Sequence, residues 1–426
     1  MSSMEMGMGM DSANRRKPGR RRLSAALAVT GLLCAAIAAC GSGGGQRRSE
    51  GVRDTKPTAP AGALPMTPVT TFQGPWPSPV GDGGPADMVA LGARLAYAYD
   101  RDDVGITAYG LDSGEPVWHT AVPDGVTVAR TPRLVGDKVI GAFDTTEEGS
   151  GTYADRRGIT VVALDARTGR SVWSREIPGG KDRPAEAAPH VVGADSRHVL
   201  VASYEEGYAE APPLSALLDS QTGQVIWSDA DFKGVDLEGS VAVGMRGDGD
   251  FVGKATSDGD QLWKRDLRLG EAMTSDPGPG LTRADGTQAG GTLLIDPVTG
   301  ATRLNSGDTS LSSCHYDGWN TTVCAGADGS GEATVWAVDV RTARVLWRLP
   351  DEAAGRTAPD ITSAWHGVVY ARADQAMTLD ARTGSDLRTD LGAVSPSLVN
   401  DGYGLVYDPL ARAIDVYRAT GTAASD

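Results

Sequence analysis

The sequence predicts an all-β fold: a β-propeller of four-stranded antiparallel blades, eight in number, with the ring closed by both termini. Three observations carry this. An eleven-residue corner, ALDARTGRSVW at residues 163–173, recurs along the chain, and its copies lie some forty residues apart. The composition, 56 Gly and 24 Pro against only four Phe in 426 residues, suits many short strands joined by tight turns.

Each residue of the corner has a task. Gly169 can take a positive φ without a Cβ clash. Asp165 and Thr168 can bond the backbone N–H groups that a turn leaves unpaired. Trp173 is large enough to fill the gap between one sheet and the next. Near-complete copies stand at residues 217–227, with Asp219, Gly223 and Trp227, and at 337–347, with Asp339 and Trp347. Shortened copies stand at 110–118, 256–263, 294–304 and 378–387. The turn positions Gly114, Gly169, Gly223, Gly259, Gly300, Ala343 and Gly384 are then 55, 54, 36, 41, 43 and 41 residues apart, a blade-sized period.

In chain order, residues 1–39 read as a lipoprotein signal peptide. Six basic residues between Arg15 and Arg22 precede an apolar run over 23–39 that is short for a membrane span and is followed by no second one. The run ends Ile37-Ala38-Ala39-Cys40-Gly41, which resembles the lipobox of bacterial lipoproteins, whose cysteine is lipidated and becomes the mature N-terminus. That resemblance implies lipid on Cys40 and a place on the extracytoplasmic face of the cell membrane. Residues 40–68, rich in Gly, Ser, Pro, Ala and charge, read as a flexible tether.

The propeller is expected over 69–418 and a disordered tail over 419–426. Blade two gives the clearest strands, at 131–135, 138–143, 159–164 and 171–177. Pro132, Pro189, Pro359 and Pro396 stand where innermost strands begin, where a missing N–H is tolerable. After the seventh corner, 397–399, 404–407 and 413–417 give three strands with no outer partner, and residues 69–72 have no place in blade one. Together they make an eighth blade that leaves no open edge. Seven blades with a stray C-terminal hairpin is the alternative.

The A-x-D-x-x-T-G-x-x-x-W corner resembles the tryptophan-docking motif of pyrroloquinoline-quinone-type propellers. That fold is shared by quinoprotein dehydrogenases and by the lipoprotein propeller of the bacterial outer-membrane assembly machine. Only blade two carries the full motif: Leu217 replaces its Ala in blade three, Ala343 its Gly in blade six, and blades five and seven have lost the Trp. The dehydrogenases bind their quinone with adjacent cysteines and their calcium with converging acidic and amide groups. This chain has no adjacent cysteines, so the resemblance of repeat does not extend to a resemblance of site.

No catalytic, cofactor or metal residue is assigned. His119, His190, His198, His315 and His366 are scattered over different blades, and neither HExxH nor a nucleophile elbow occurs. Asp248-Gly249-Asp250 and Asp258-Gly259-Asp260 read as hairpin turns rather than calcium loops. Cys314 and Cys324 flank Trp319 symmetrically, so a hairpin turning at 317–320 would set them opposite each other, and an oxidising exterior permits a disulfide. The formal charge of −15, which becomes −19 once the six basic and two acidic residues of 1–39 are set aside, argues against a nucleic-acid partner.

The departure that points to function is the spacing leading up to the second and third turns, in blades two and three, which exceeds the period by about fourteen residues each. The excess falls at 145–157, 178–188 and 204–213, connections that an up-and-down blade sends to one face. Glu147, Glu148, Tyr153, Arg156, Arg157, Tyr204, Glu205, Glu206, Tyr208 and Glu210 make a mix of charge and tyrosine suited to protein recognition. The expectation is a monomeric, lipid-anchored, non-catalytic module that binds an envelope protein through these loops. Its rivals are a quinone-dependent oxidoreductase and a carbohydrate-binding surface protein.

Overall fold

The computed structural model describes residues 67–73, 88–100, 102–122, 125–126, 131–147, 156–179, 188–204, 213–247, 249–267, 277–285, 291–389, 391 and 394–420. The signal segment, Cys40 and the tether up to residue 66 lie outside them, as does the end of the tail from residue 421.

The described chain is all-β with one short 3-10 turn, Glu352–Ala354. It opens with β1 (Thr70–Gln73) and continues into blade one, β2 (Val89–Leu91), β3 (Leu95–Asp100), β4 (Gly105–Gly110) and β5 (Pro116–Ala121). Blade two has a split inner strand, β6 (Gly125–Val126) and β7 (Arg133–Val135), then β8 (Lys138–Glu147), β9 (Arg156–Asp165) and β10 (Ser171–Pro178). Blade three is β11 (Ala188–Ala194), β12 (His198–Tyr204), β13 (Leu214–Asp219) and β14 (Val225–Asp229). Blade four is β15 (Lys233–Glu238), β16 (Val241–Met245), β17 (Asp250–Ala255) and β18 (Gln261–Asp266).

Blade five shows three strands among the described residues, β19 (Thr282–Asp285), β20 (Thr292–Ile295) and β21 (Thr302–Asn305). Blade six is β22 (Ser310–Tyr316), β23 (Thr321–Ala327), β24 (Ala333–Asp339) and β25 (Arg344–Leu349). Blade seven is β26 (Asp360–Trp365), β27 (Val368–Arg372), β28 (Ala376–Asp380) and β29 (Asp386–Arg388). The last sheet runs β30 (Leu398–Val399), β31 (Tyr403–Asp408), β32 (Ala413–Arg418) and then β1, so the N-terminal strand completes the eighth blade. Phe72 of β1 stacks on Tyr109 of blade one at 5.0 Å, and Asp112 of blade one accepts from Tyr403 and Arg418 of blade eight. The ring reaches at least to Ala419, which is buried and whose N–H bonds Gly402, so that residue belongs to the last turn rather than to a tail.

The corners explain how blades lock together. Asp165 accepts from the N–H and hydroxyl of Thr168 at 2.8 and 2.6 Å, and Asp219 does the same with Thr222 at 2.8 and 2.7 Å. The Thr168 and Thr222 hydroxyls lead the interactions that hold these two carboxyls below the ordinary carboxylate range. Each tryptophan then lies on the corner of the next blade. The indole N–H of Trp118 bonds Ala166, Trp173 bonds Ser220, Trp227 bonds Ala255, Trp263 bonds Pro297 and Trp347 bonds Ala381, all at 2.9 to 3.2 Å. A Cβ on the receiving glycine, at 169, 223, 259, 300 or 384, would stand 2.5 to 3.0 Å from that ring. Glycine is therefore needed twice over, for a φ near 70° and for the space the indole occupies.

Blade five carries Leu304 where the tryptophan would stand, and the corner that receives it is the one with Ala343, at φ 53°. Leu304 packs against the cluster that contains Ala343, so a smaller donor and a larger receiver occur as a pair.

Candidate interaction face

Strands alternate ends, so the connections β8 to β9, β10 to β11 and β12 to β13 all emerge at the end of blades two and three opposite the corners. Those are the three inserted stretches. Both described ends of the first are strand: β8 and β9 pair continuously from Lys138 with Asp165 to Glu147 with Arg156, and residues 148–155 lie outside the described residues. The expected strands 138–143 and 159–164 are each extended, and four more residues on β8 carry the hairpin about 13 Å further out. Outside it β10 runs to Pro178, paired with Gly158, and inside it Gly125 and Val126 of β6 pair with Thr145 and Asp144. Ile159 and Ile177, both buried, root this arm in the cluster shared with Val191 and Val201 of blade three. The described ends of the first insertion, 145–147 and 156–157, thus belong to a strand-built arm with a definite direction.

The expected recognition residues divide accordingly. Glu147 and Arg156 form the last strand pair of the arm, and Arg157, opposite Thr146, is half-buried on β9. Glu148, Tyr153, Glu205, Glu206, Tyr208 and Glu210 lie outside the described residues. Tyr204, expected in a surface loop, is instead buried at 6 % exposure at the end of β12. Its ring meets His190 edge-on at 4.9 Å, and Lys233 Nζ lies 3.9 Å above it. Tyrosine was read as a contact residue by type, whereas here it anchors the base of the third insertion.

Polar side-chain contacts flank the arm. On the blade-one side His119 Nε2 lies 3.1 Å from Asp103, with Nδ1 2.9 Å from the Thr107 hydroxyl. On the blade-four side Lys254 Nζ bonds Asp229 at 2.6 Å beneath Trp227 and Phe232, and Arg246 meets Asp231 at 3.3 Å. The sequence gives no sign of these pairs, because their members belong to different strands or blades and share no local motif. Arg246, part of an Arg-Gly-Asp tripeptide, is thus engaged within the fold.

The inner strands hold a second recurring device. A bulge interrupts β11 at Val191/Gly193, β15 at Gly234/Asp236, β22 at Leu311/Ser313 and β26 at Ile361/Ser363. Arginines from the preceding blade satisfy carbonyls that two of these bulges release: Arg133 bonds Val192 at 3.1 Å, and the buried Arg283 bonds Leu311 at 2.9 Å and also Ser312.

Cys314 and Cys324 pair across β22 and β23, with S–S 2.04 Å and Cα–Cα 4.0 Å. The bridge is buried against Leu311 and Trp336. A quinone clamped by adjacent cysteines has no counterpart in it: the two residues are ten apart, and their sulfurs are covered by the core. Among the described residues no group of three or more His, Cys, Asp or Glu is placed to hold a metal ion. The described residues do not fit the quinone and calcium of the dehydrogenases.

Residues 75–266, spanning blades one to four, match the family model described as outer membrane protein assembly factor BamB. Over those four blades the chain is similar to that family. No curated protein matches it. Among solved structures, BamB from Moraxella catarrhalis is 18 % identical, with 84 % of this chain and 98 % of that one covered at a TM-score of 0.47. The computationally designed Ika8 protein is 14 % identical, with coverages of 83 % and 99 % and a TM-score of 0.52. The quinohemoprotein alcohol dehydrogenase ADHIIG from Pseudomonas putida HK5 is 12 % identical, with coverages of 87 % and 78 % and a TM-score of 0.50. At these identities the likeness to the designed protein and to the dehydrogenase is one of fold. The BamB-like match includes both blades that carry the insertions.

Proposed function

We propose that this protein is an exported, lipid-anchored, monomeric propeller that serves as a non-catalytic protein-binding or scaffold module at the cell envelope. In this reading Cys40 carries the lipid, residues 40–68 tether the ring to the extracytoplasmic face of the cell membrane, and the inserted face of blades two and three binds an envelope protein. The observation that carries the reading is the arm of β8, β9 and β10. A ring needs no such extension to close, and rigid strands present a binding surface more accurately than loops do. The matched family's description as an assembly factor accords with a scaffold role.

The test is affinity capture after crosslinking in native membranes, with the wild type beside a variant whose residues 148–155 and 205–210 are replaced by short Gly-Asn turns. The blades keep their strands in that variant, so folding should persist. The reading expects the variant to lose a partner that the wild type captures, with capture weakening as salt rises because the face mixes both charge signs. Equal capture by both proteins would move the search to the channel mouth or the outer strands.

A further inference from the structure

Among the described residues, seven of the eight seams between blades are closed by a docked tryptophan, a sizeable apolar cluster, or both. Between blades eight and one, eleven buried residues from Phe72 to Val416 form a single cluster, reinforced by the Asp112 clasp. Between six and seven, Trp347 docks on the corner at Gly384, and nine buried residues lie between the sheets. The seam between seven and eight differs on both counts. Arg388, exposed, stands where the tryptophan would be, and β29 is three exposed residues long. The buried cluster across the seam among the described residues consists of Val368, Tyr370 and Val399, with Trp365 at its edge.

Polar groups hold this seam instead. The Thr362 hydroxyl lies 2.7 Å from that of Ser395 and donates to the Pro396 carbonyl at 2.8 Å, which also accepts from Ser363 at 2.7 Å. At the corner end Trp365 donates to Asp401 at 3.0 Å, and His366, stacked between Trp319 and Trp365, approaches the same carboxylate at 2.9 Å. Water can replace hydrogen bonds of this kind at little net cost, whereas separated apolar surface has no such substitute.

We propose that the ring opens at the seam between blades seven and eight, and that blade eight moves as one body with blade one. Because β1 is the outer strand of blade eight, the N-terminal segment leads directly into the moving body. The device is a split ring, closed by polar straps at a single seam and by apolar packing elsewhere.

Native-state thiol labelling tests this. Val399→Cys places a thiol in the seam, and Val191→Cys places one in the cluster between blades two and three; alkylation at each is read by mass spectrometry on the full chain. The proposal expects Val399→Cys to react about tenfold or more faster under folding conditions. It further expects a Thr362→Cys, Ser395→Cys disulfide, oxidised across the seam, to bring that rate down to the control's. Equal rates without the lock, or a fast rate that the lock leaves unchanged, would overturn it. Spin labels on the exposed turn tips Asp374 and Leu410, which leave the core untouched, give a second measurement. Their distance distribution should be broader than that of Ser330 with Asp374 across the adjoining seam, and equal widths would contradict the proposal.

Discussion

Trp173 of blade two lies so close to Gly223 of blade three that a Cβ on that glycine would stand 2.5 Å from the indole ring. Gly223→Ala must therefore displace the tryptophan and hold alanine at φ 69°, and about 2–4 kcal/mol of destabilisation is expected. Leu304 and Ala343 test the same rule in reverse. Leu304→Trp alone should destabilise, Ala343→Gly should relieve the clash, and a double-mutant cycle by denaturant unfolding should give a favourable coupling of about 1–2 kcal/mol. Additive effects would show that donor and receiver are independent.

Trp173→Ala should cost roughly 3–5 kcal/mol by opening an inter-blade cavity, while Arg388→Ala, at the equivalent place in blade seven, should change stability by less than about 0.5 kcal/mol. Thermal or denaturant unfolding of the pair decides it, and similar losses would mean that the register of blade seven has been misassigned.

His315 on β22 gives the fold an acid sensitivity. Burial lowers its pKa from 6.5 to about 4, so the folded state favours the neutral ring. The unfolded chain then takes up a proton first as pH falls below 6.5, and the stability His315 contributes above that value is lost progressively toward pH 4. Because the ring keeps some contact with solvent, the loss should be on the order of 2 kcal/mol. Unfolding free energies of the wild type and His315→Gln across this range should converge by that amount, and parallel curves would contradict the assignment.

The repeat was legible because it rests on local chemistry. Every corner glycine aligned from the sequence has positive φ, and the closing β1 strand follows from counting strands. The arm was not legible, since polar residues such as Thr145, Thr146 and Arg157 give no apolar alternation, and their strand character comes from pairing across β8 and β9. Tyr204 was misplaced for a related reason: the groups that bury it, His190 and Lys233, come from other strands.

Lipidation of Cys40 predicts that Cys40→Ala is left unprocessed or is released from the membrane, because the acyl anchor supplies most of the affinity. Partition between detergent and aqueous phases, with the mature mass, checks this. A variant that is processed and partitions as the wild type does would remove the anchor from the account.

The most direct test of the central claim, that the inserted face of blades two and three is where a partner binds, is site-specific photocrosslinking in intact cells. A photoreactive residue at Tyr153 or Tyr208 should give a discrete adduct, and one at Arg167 or Gln221, on the exposed corners at the opposite end of the same blades, should give none. Adducts from the corners with none from the inserted face would contradict it.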